Sequence, residues 1–328
     1  MIASTPVARW TWGRVDQHGD KIAACLHELL TAWAILERYQ LVVGVPDVSV
    51  SVHEAGKPNS YLFKGNRVLE TESSSPGVAQ QLAGHVEAAL VPGEIGAVHA
   101  DAKNSTAVIN GAYGIRENGV FQVGTSVILD YLGTDLVTFS DAWMPYDLKG
   151  RAQPSVHAAN APRSFAALLD LSEALRSETD PDEATHFGKP TETGVDSYLQ
   201  EDGTASDVWS SFEVPYRYSE FTHAPGFDGI GFKRSAEGDV QYVPVLGEHG
   251  LLGYLWASDA EKAASFEPRD VGDDETYQSG LLWLDRLRSA HDRGLTPSEA
   301  LSDLKKFLGR TRPSTLDLAS LRKLARDS

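Results

Sequence analysis

The residue types best suited to acid–base chemistry are concentrated in one segment, 141–160. It contains two carboxylates, a guanidinium and an imidazole, supplied by Asp141, Asp147, Arg151 and His157. If these side chains converged, the carboxylates and the imidazole could transfer protons while the guanidinium held an anionic group. The alternative is that they hydrogen-bond the loop backbone or face water. A hydrolase or transferase site in 141–160 is therefore one hypothesis, and we rank it below a structural role.

Other residues of the chain could make surface contacts with a protein partner. Trp143 and Tyr146 lie in the same segment, and aromatic side chains are favoured at interface hot spots. The alternative for both is packing beneath the loop. Asp180, Asp182 and Glu183 follow in an acidic stretch that would attract a basic partner. We predict these five residues as partner contacts.

Metal and cofactor chemistry lack a complete motif. The three acids at 180–183 match no calcium loop, which needs a glycine and a closing bidentate glutamate. His85-Val86-Glu87 matches the His-x-Glu of zinc deaminases, but no cysteine follows Cys25 to complete that metal site. Neither a phosphate-binding loop nor a dinucleotide-binding glycine pattern is present. We expect no metal and no cofactor.

Composition and charge limit the classes of partner. The chain has 328 residues with 29 Lys and Arg against 46 Asp and Glu, a formal net charge of -17. That field repels phosphate backbones and anionic lipids, so we expect neither nucleic acid nor membrane as a partner. A single cysteine excludes an intramolecular disulfide and fits a reducing cytoplasm. The start of the chain lacks the pattern of a signal peptide.

Hydrophobic periodicity predicts an α+β fold in two units. In the first half, 1–177, helical spacing at Lys21–Arg38 follows the candidate N-cap Asp20, and alternating strand-like runs come after it. Lys64-Gly65-Asn66 is typical of a hairpin turn between two strands. Residues 141–163 are predicted as a long loop, followed by a helix over Ser164–Leu175. The stretch 178–206 is predicted as an acidic linker or loop between the units.

The second half, 207–328, is predicted as a β-meander followed by three helices. The strand-like runs are Gly229–Lys233, Val240–Val245 and Leu251–Ala257. A helix with leucines on one face then ends at Gly294, and Thr296-Pro297-Ser298-Glu299 forms a capping box for the next helix. Pro313-Ser314 is expected to open the last helix.

One region of the C-terminal half resembles a known module. The residues that carry the resemblance are Gly250–Ser258 (GLLGYLWAS), Ala263–Arg269 (AASFEPR), Leu282–Leu287 (LWLDRL) and Gly294–Leu301 (GLTPSEAL). They are similar to a recurrent module of uncharacterised actinobacterial proteins, which implies a cytoplasmic actinobacterial protein. In overall class, an acidic and cysteine-poor chain of two α+β units also resembles the immunity proteins of toxin systems.

These observations favour a non-enzymatic cytosolic binding protein, most concretely an immunity-type inhibitor of a basic partner or toxin. The two alternatives are the hydrolase or transferase with its site in 141–160, and a secretion-system accessory or scaffold. An accessory protein would dock through the basic C-terminal helix, since Lys and Arg outnumber Asp and Glu over residues 301–328.

Overall fold

A computed structural model of the chain describes residues 1–15, 19–68, 77–103, 106–109, 114–226, 229–308 and 312–326. It divides into two compact units, Met1–Val208 and Trp209–Ser328. Each unit combines helices with antiparallel strands, so the α+β prediction is confirmed. Among the described residues, no helix has the length and apolar character needed to cross a bilayer.

The first unit is built around one large sheet with helices between its strands. In chain order its elements are β1 (Ala8–Val15), α1 (Lys21–Arg38), β2 (Asp47–Glu54), β3 (Lys57–Val68), α2 (Val78–Ala88), β4 (Ile95–Lys103), β5 (Thr106–Ile109), β6 (Ile115–Asn118), β7 (Phe121–Ile128), β8 (Tyr131–Thr138), α3 (Pro154–Leu175), β9 (Asp180–Pro181), β10 (Lys189–Thr191) and β11 (Gly194–Asp196). The large sheet has the antiparallel order β3-β2-β4-β7-β8-β1-β9. Strands β5 with β6 and β10 with β11 form two small ladders.

Helix α1 begins where the sequence predicts. The Asp20 carboxylate accepts the backbone N–H groups of Ile22 and Ala23, each at 3.0 Å, and so satisfies two donors that the first turn leaves free. The apolar stripe of α1 lies on the sheet, with Leu26 and Leu29 fully buried. Local capping chemistry and the hydrophobic stripe both act here, which is why this element is predictable from sequence.

The predicted hairpin turn at Lys64-Gly65-Asn66 is wrong. These residues lie inside β3, and the chain reverses earlier, at Ala55-Gly56, where Gly56 has a φ of +71°. Gly65 has a packing role instead. A Cβ at Gly65 would lie 3.0 Å from the Phe63 ring, so the missing side chain makes room for the aromatic ring on the same face.

The predicted loop over 141–163 ends earlier than expected. Helix α3 starts at Pro154, a residue whose fixed φ suits the first turn, and continues through Pro162 to Leu175. The Arg163 guanidinium ties this helix to the end of α1. It donates hydrogen bonds to the carbonyl oxygens of Tyr39, Gln40 and Val108, all between 2.8 and 2.9 Å.

The acidic stretch 178–206 belongs to the first unit and does not form a free linker. Its strand β9 pairs with β1, and the Trp10 indole donates to the Thr191 carbonyl at 2.8 Å. Phe187 is 2% exposed. Backbone pairing and this buried ring hold the stretch on the unit, and neither could be predicted from its acidic composition.

The second unit contains a smaller antiparallel sheet. Its elements are a π-helical turn (Trp209–Glu213), α4 (Val214–His223), β12 (Asp239–Gly247), β13 (Gly250–Ser258), β14 (Ala263–Pro268), α5 (Asp274–Asp292), α6 (Pro297–Leu304), a 3₁₀ turn (Lys305–Phe307), β15 (Ser314–Asp317) and α7 (Leu318–Arg326). The strand order is β14-β13-β12-β15. Apolar side chains of α5 and α6 pack with one set of strand residues, and those of α7 pack with another set.

The predicted meander is present with different strands. Gly229–Lys233 does not form a strand, because Gly229 and Gly231 have φ values of +61° and +78°, and the third strand is β14. The capping box at Thr296 and Glu299 is confirmed, as is Gly294 after α5, with a φ of +80°. Ser314 opens strand β15 rather than a helix, so a strand separates the last two helices.

Candidate functional site: the open face of the large sheet

The two faces of the large sheet differ in what covers them. The Cys25 thiol of α1 contacts the Thr125 carbonyl, and the Trp12 indole of β1 donates to the Ser172 hydroxyl of α3 at 3.0 Å. Leu82 and Val86 of α2 lie beside Val50 of β2. All three helices therefore pack on the face that carries Trp12, Val50 and Thr125. We call the opposite face the open face.

Strand register places polar residues next to one another across the open face. One row, read from β3 to β9 through paired residues, contains Asn66, Ser49, Asp101, Gly124, Asp135, Thr11 and Asp180. The adjacent row contains Lys64, Ser51, His99, Ser126, Gly133 and Gly13. Paired residues in a sheet project to the same side, so these side chains share one surface.

Two carboxylates lean over Gly124 from the strands on either side. A Cβ at Gly124 would lie 2.5 Å from Asp135 Oδ1 and 3.2 Å from Asp101 Oδ1. Glycine is therefore the residue that leaves room for both acids. Within the described residues, neither carboxylate forms a hydrogen bond or an ion pair. Asp180 lies in the same row on the edge strand β9, so the row has an acid on every second strand from β4 to β9. We call Asp101, Asp135 and Asp180 the acidic row.

Asp135 and the nearby His99 both have shifted pKa values. Burial raises the pKa of Asp135, the Arg9 guanidinium opposes that change, and the Asp101 charge adds to it. Beside them, burial and the neighbouring His53 lower the pKa of His99, while Asp101 acts in the other direction. Perturbed groups gathered on an accessible surface are typical of functional sites.

Replacing Asp135 with asparagine is expected to stabilise the first unit near neutral pH. A raised pKa in the folded state means that ionisation of Asp135 costs stability, and this cost appears as the pH rises above the ordinary value of 3.8. Denaturant unfolding at about pH 7.5 should show D135N as the more stable chain, and the gain should vanish at about pH 2.5, where the carboxyl is protonated in both states. A loss of stability at the higher pH would contradict this electrostatic account.

The acidic residues predicted from sequence as partner contacts reach this surface. Asp180, Asp182 and Glu183 are all exposed. Asp180 belongs to the acidic row, and an Asp182 carboxylate oxygen lies 4.0 Å from Arg9 Nε at the same edge. The structure therefore joins predicted contacts on β9 to two acids that sequence analysis missed, Asp101 and Asp135.

The two aromatic residues predicted as contacts are placed differently. Trp143 is 2% exposed, its indole donates to the Thr138 hydroxyl at 2.9 Å, and its ring lies 5.1 Å from that of Phe121. It packs beneath the loop and is unavailable as a surface anchor, which corrects the prediction. Tyr146 is half-buried and its backbone pairs with Ala152.

The four residues of the alternative catalytic site have local structural contacts. Asp141 is buried and accepts hydrogen bonds from the Met1 amino group and from the Leu148 backbone at 3.0 Å. The Asp147 carboxylate accepts the Arg151 backbone N–H and its guanidinium, at 2.9 and 2.7 Å. His157 lies on the first turn of α3. These contacts fix the loop, and they do not form the acid–base site that the sequence allowed.

A metal site is not evident in the described part of the chain, where no three His, Cys, Asp or Glu side chains are grouped closely enough to hold an ion. No protein-family model, curated protein or solved structure matches this chain.

Proposed function

We propose that this chain is a binding protein of the immunity type, which captures a basic protein partner on the open face of its large sheet. The observation that carries the proposal is that Asp101 and Asp135, held over Gly124 on the open face, form no hydrogen bond or ion pair among the residues that the structure describes. In the proposed setting the protein is cytoplasmic and actinobacterial, and its partner is a toxin whose active surface it covers.

The physical basis is that a bound partner would supply the hydrogen bonds that the Asp101 and Asp135 carboxylates lack among the described residues. Carboxylates without hydrogen-bond partners gain most from a guanidinium or ammonium group, because charge-assisted hydrogen bonds are stronger than neutral ones. Neighbouring strands lie about 4.8 Å apart, so acids on every second strand are spaced by roughly 10 Å. A partner with basic side chains at that spacing would meet Asp101, Asp135 and Asp180 in turn.

Two basic residues beside the acidic row make the charge distribution of the open face asymmetric. Arg9 and Lys103 extend from the same face near its β1 and β4 strands, so the open face is not uniformly negative. Like charges in a wrongly aligned complex repel, which favours one register over others. The net charge of -17 adds attraction at a distance and speeds the encounter.

Affinity capture tests the proposal. The tagged chain is incubated with its native cytosol at low and then moderate salt, and eluted proteins are identified by mass spectrometry. We expect a stoichiometric basic partner that is toxic when expressed alone, with retention that falls as salt screens the acidic row. Absence of a basic partner at both salt concentrations would refute the proposal.

A further inference from the structure

A groove beside the acidic row contains a serine with unusual neighbours. The groove has a volume of about 430 Å³ and is lined in part by Ser49, Ser51, Lys64, Asn66, Asp101 and Lys103. Ser51 lies between two functional side chains of the adjacent strands, since it is paired with Lys64 on β3 and with His99 on β4. His53 follows two residues later on the same face of β2 and completes the group.

The hydrogen bonds of His53 determine which of its nitrogen atoms is protonated. His53 Nδ1 lies 2.8 Å from the Pro58 carbonyl oxygen, which can only accept, so Nδ1 carries the hydrogen and donates it. In the neutral ring, Nε2 then has a free lone pair. Ser51 Oγ lies 3.3 Å from Nε2, so the serine hydroxyl donates to the imidazole. This is the arrangement in which a histidine can accept a serine proton.

Two aromatic rings contact His53 of the Ser51–His53 pair, and a lysine lies on the neighbouring strand. The His53 ring lies 4.6 Å from that of Tyr61 and 5.2 Å edge-on from that of His99, which fixes its orientation. Lys64 Nζ lies 5.0 Å from the Tyr61 ring centre, on the strand directly beside Ser51. A positive charge at that position would stabilise negative charge that develops next to Ser51.

We propose that Ser51 is a nucleophile for acyl transfer from small polar esters, with His53 as its base, the Pro58 carbonyl as the group that orients His53, and Lys64 as the oxyanion partner. The Asn66 amide and the Lys103 ammonium group of the groove would bind a short ester that itself forms hydrogen bonds. This activity goes beyond the capture of a partner by the acidic row.

The proposed reaction has two stages. Ser51 Oγ forms a bond to the ester carbonyl carbon while its proton moves to His53 Nε2, and the oxyanion lies beside Lys64. The bond to the leaving alcohol oxygen breaks, and that oxygen takes the proton from Nε2. A water molecule then attacks the acyl-serine and gives its proton to Nε2. The bond to Ser51 Oγ breaks, Oγ recovers the proton, and the carboxylic acid is released.

Covalent labelling and turnover test the proposal on the full chain. Diisopropyl fluorophosphate should label the peptide that contains Ser51, and 4-nitrophenyl acetate should be hydrolysed. S51A and H53A should each lower kcat/KM by roughly 100-fold. K64Q should lower kcat by about 10-fold with little change in KM, as expected for a group that acts mainly on the transition state.

The matched control is S126A, which removes a hydroxyl from the same sheet face, on β7, at a position that does not line the groove. It should keep wild-type labelling and turnover. Circular dichroism of every variant shows whether it is folded. Absence of label at Ser51 in the folded wild-type chain would overturn the proposal, and so would hydrolysis by S51A at the rate of S126A.

Discussion

Neutralising the acidic row should weaken the binding of a fluorescent oligo-arginine peptide by roughly 10-fold or more at low salt. The variant is D101N/D135N/D180N, in which each amide keeps the shape of the carboxylate and removes its charge. We expect the loss because these three acids lie in one line across the open face, and two of them lack partners within the described residues. Fluorescence anisotropy measures the affinity.

A control variant with the same net charge as D101N/D135N/D180N separates the effect of the acidic row from the general electrostatic attraction of the chain for a cationic peptide. D130N/D196N/E201Q also removes three exposed negative charges from the first unit, at positions outside the row. It should change the affinity by less than about 3-fold. Equal losses in both variants would show that the peptide responds only to net charge, and would remove the acidic row from the binding account.

Removing the Asp141 carboxylate should destabilise the first unit by about 3 kcal/mol. Asp141 is 1% exposed and accepts hydrogen bonds from the Met1 amino group and the Leu148 backbone. Its burial raises its pKa, and the contacts with the amino group partly offset that change. D141A would leave the buried Leu148 N–H without its acceptor and the Met1 amino group without its counter-charge. Denaturant unfolding at neutral pH measures the loss.

Asp147 provides the comparison in the same loop. Its side chain also accepts backbone hydrogen bonds, but its partner Arg151 is 68% exposed, so water can replace the contacts that D147A removes. We expect D147A to cost less than about 1 kcal/mol. Similar costs for the two variants would contradict the view that Asp141 is a buried anchor of the loop.

Local chemistry determined which elements could be predicted. The caps at Asp20 and Thr296 were recognisable because a capping side chain bonds to backbone groups two or three residues away. Gly65 misled the prediction because a glycine that makes room for an aromatic ring has the same sequence signature as a glycine in a turn. Helix α3 was cut short because prolines at its start and interior were interpreted as loop residues.

The candidate site was predictable only at its edge. Asp180 and Asp182 were recognisable because they stand in an acidic stretch. Asp101 and Asp135 each occur once in an alternating strand, where a polar residue at every second position is ordinary. Their meeting over Gly124 depends on the strand order β4-β7-β8, which joins residues far apart in sequence. Ser51 and His53 were overlooked because their contact depends on β2 being a strand, and His99 reaches them only through the pairing of β2 with β4.

The central claim is that the partner covers the open face, and cysteine footprinting tests it most directly. Cys25 is buried, and burial raises the pKa of its thiol to about 12, so a maleimide will not modify it in the folded chain. S126C introduces a thiol on the open face, and A158C introduces one on the exposed surface of α3. The captured partner should slow labelling of S126C by about 10-fold or more and leave A158C unchanged. Protection of A158C with unhindered labelling of S126C would contradict the claim.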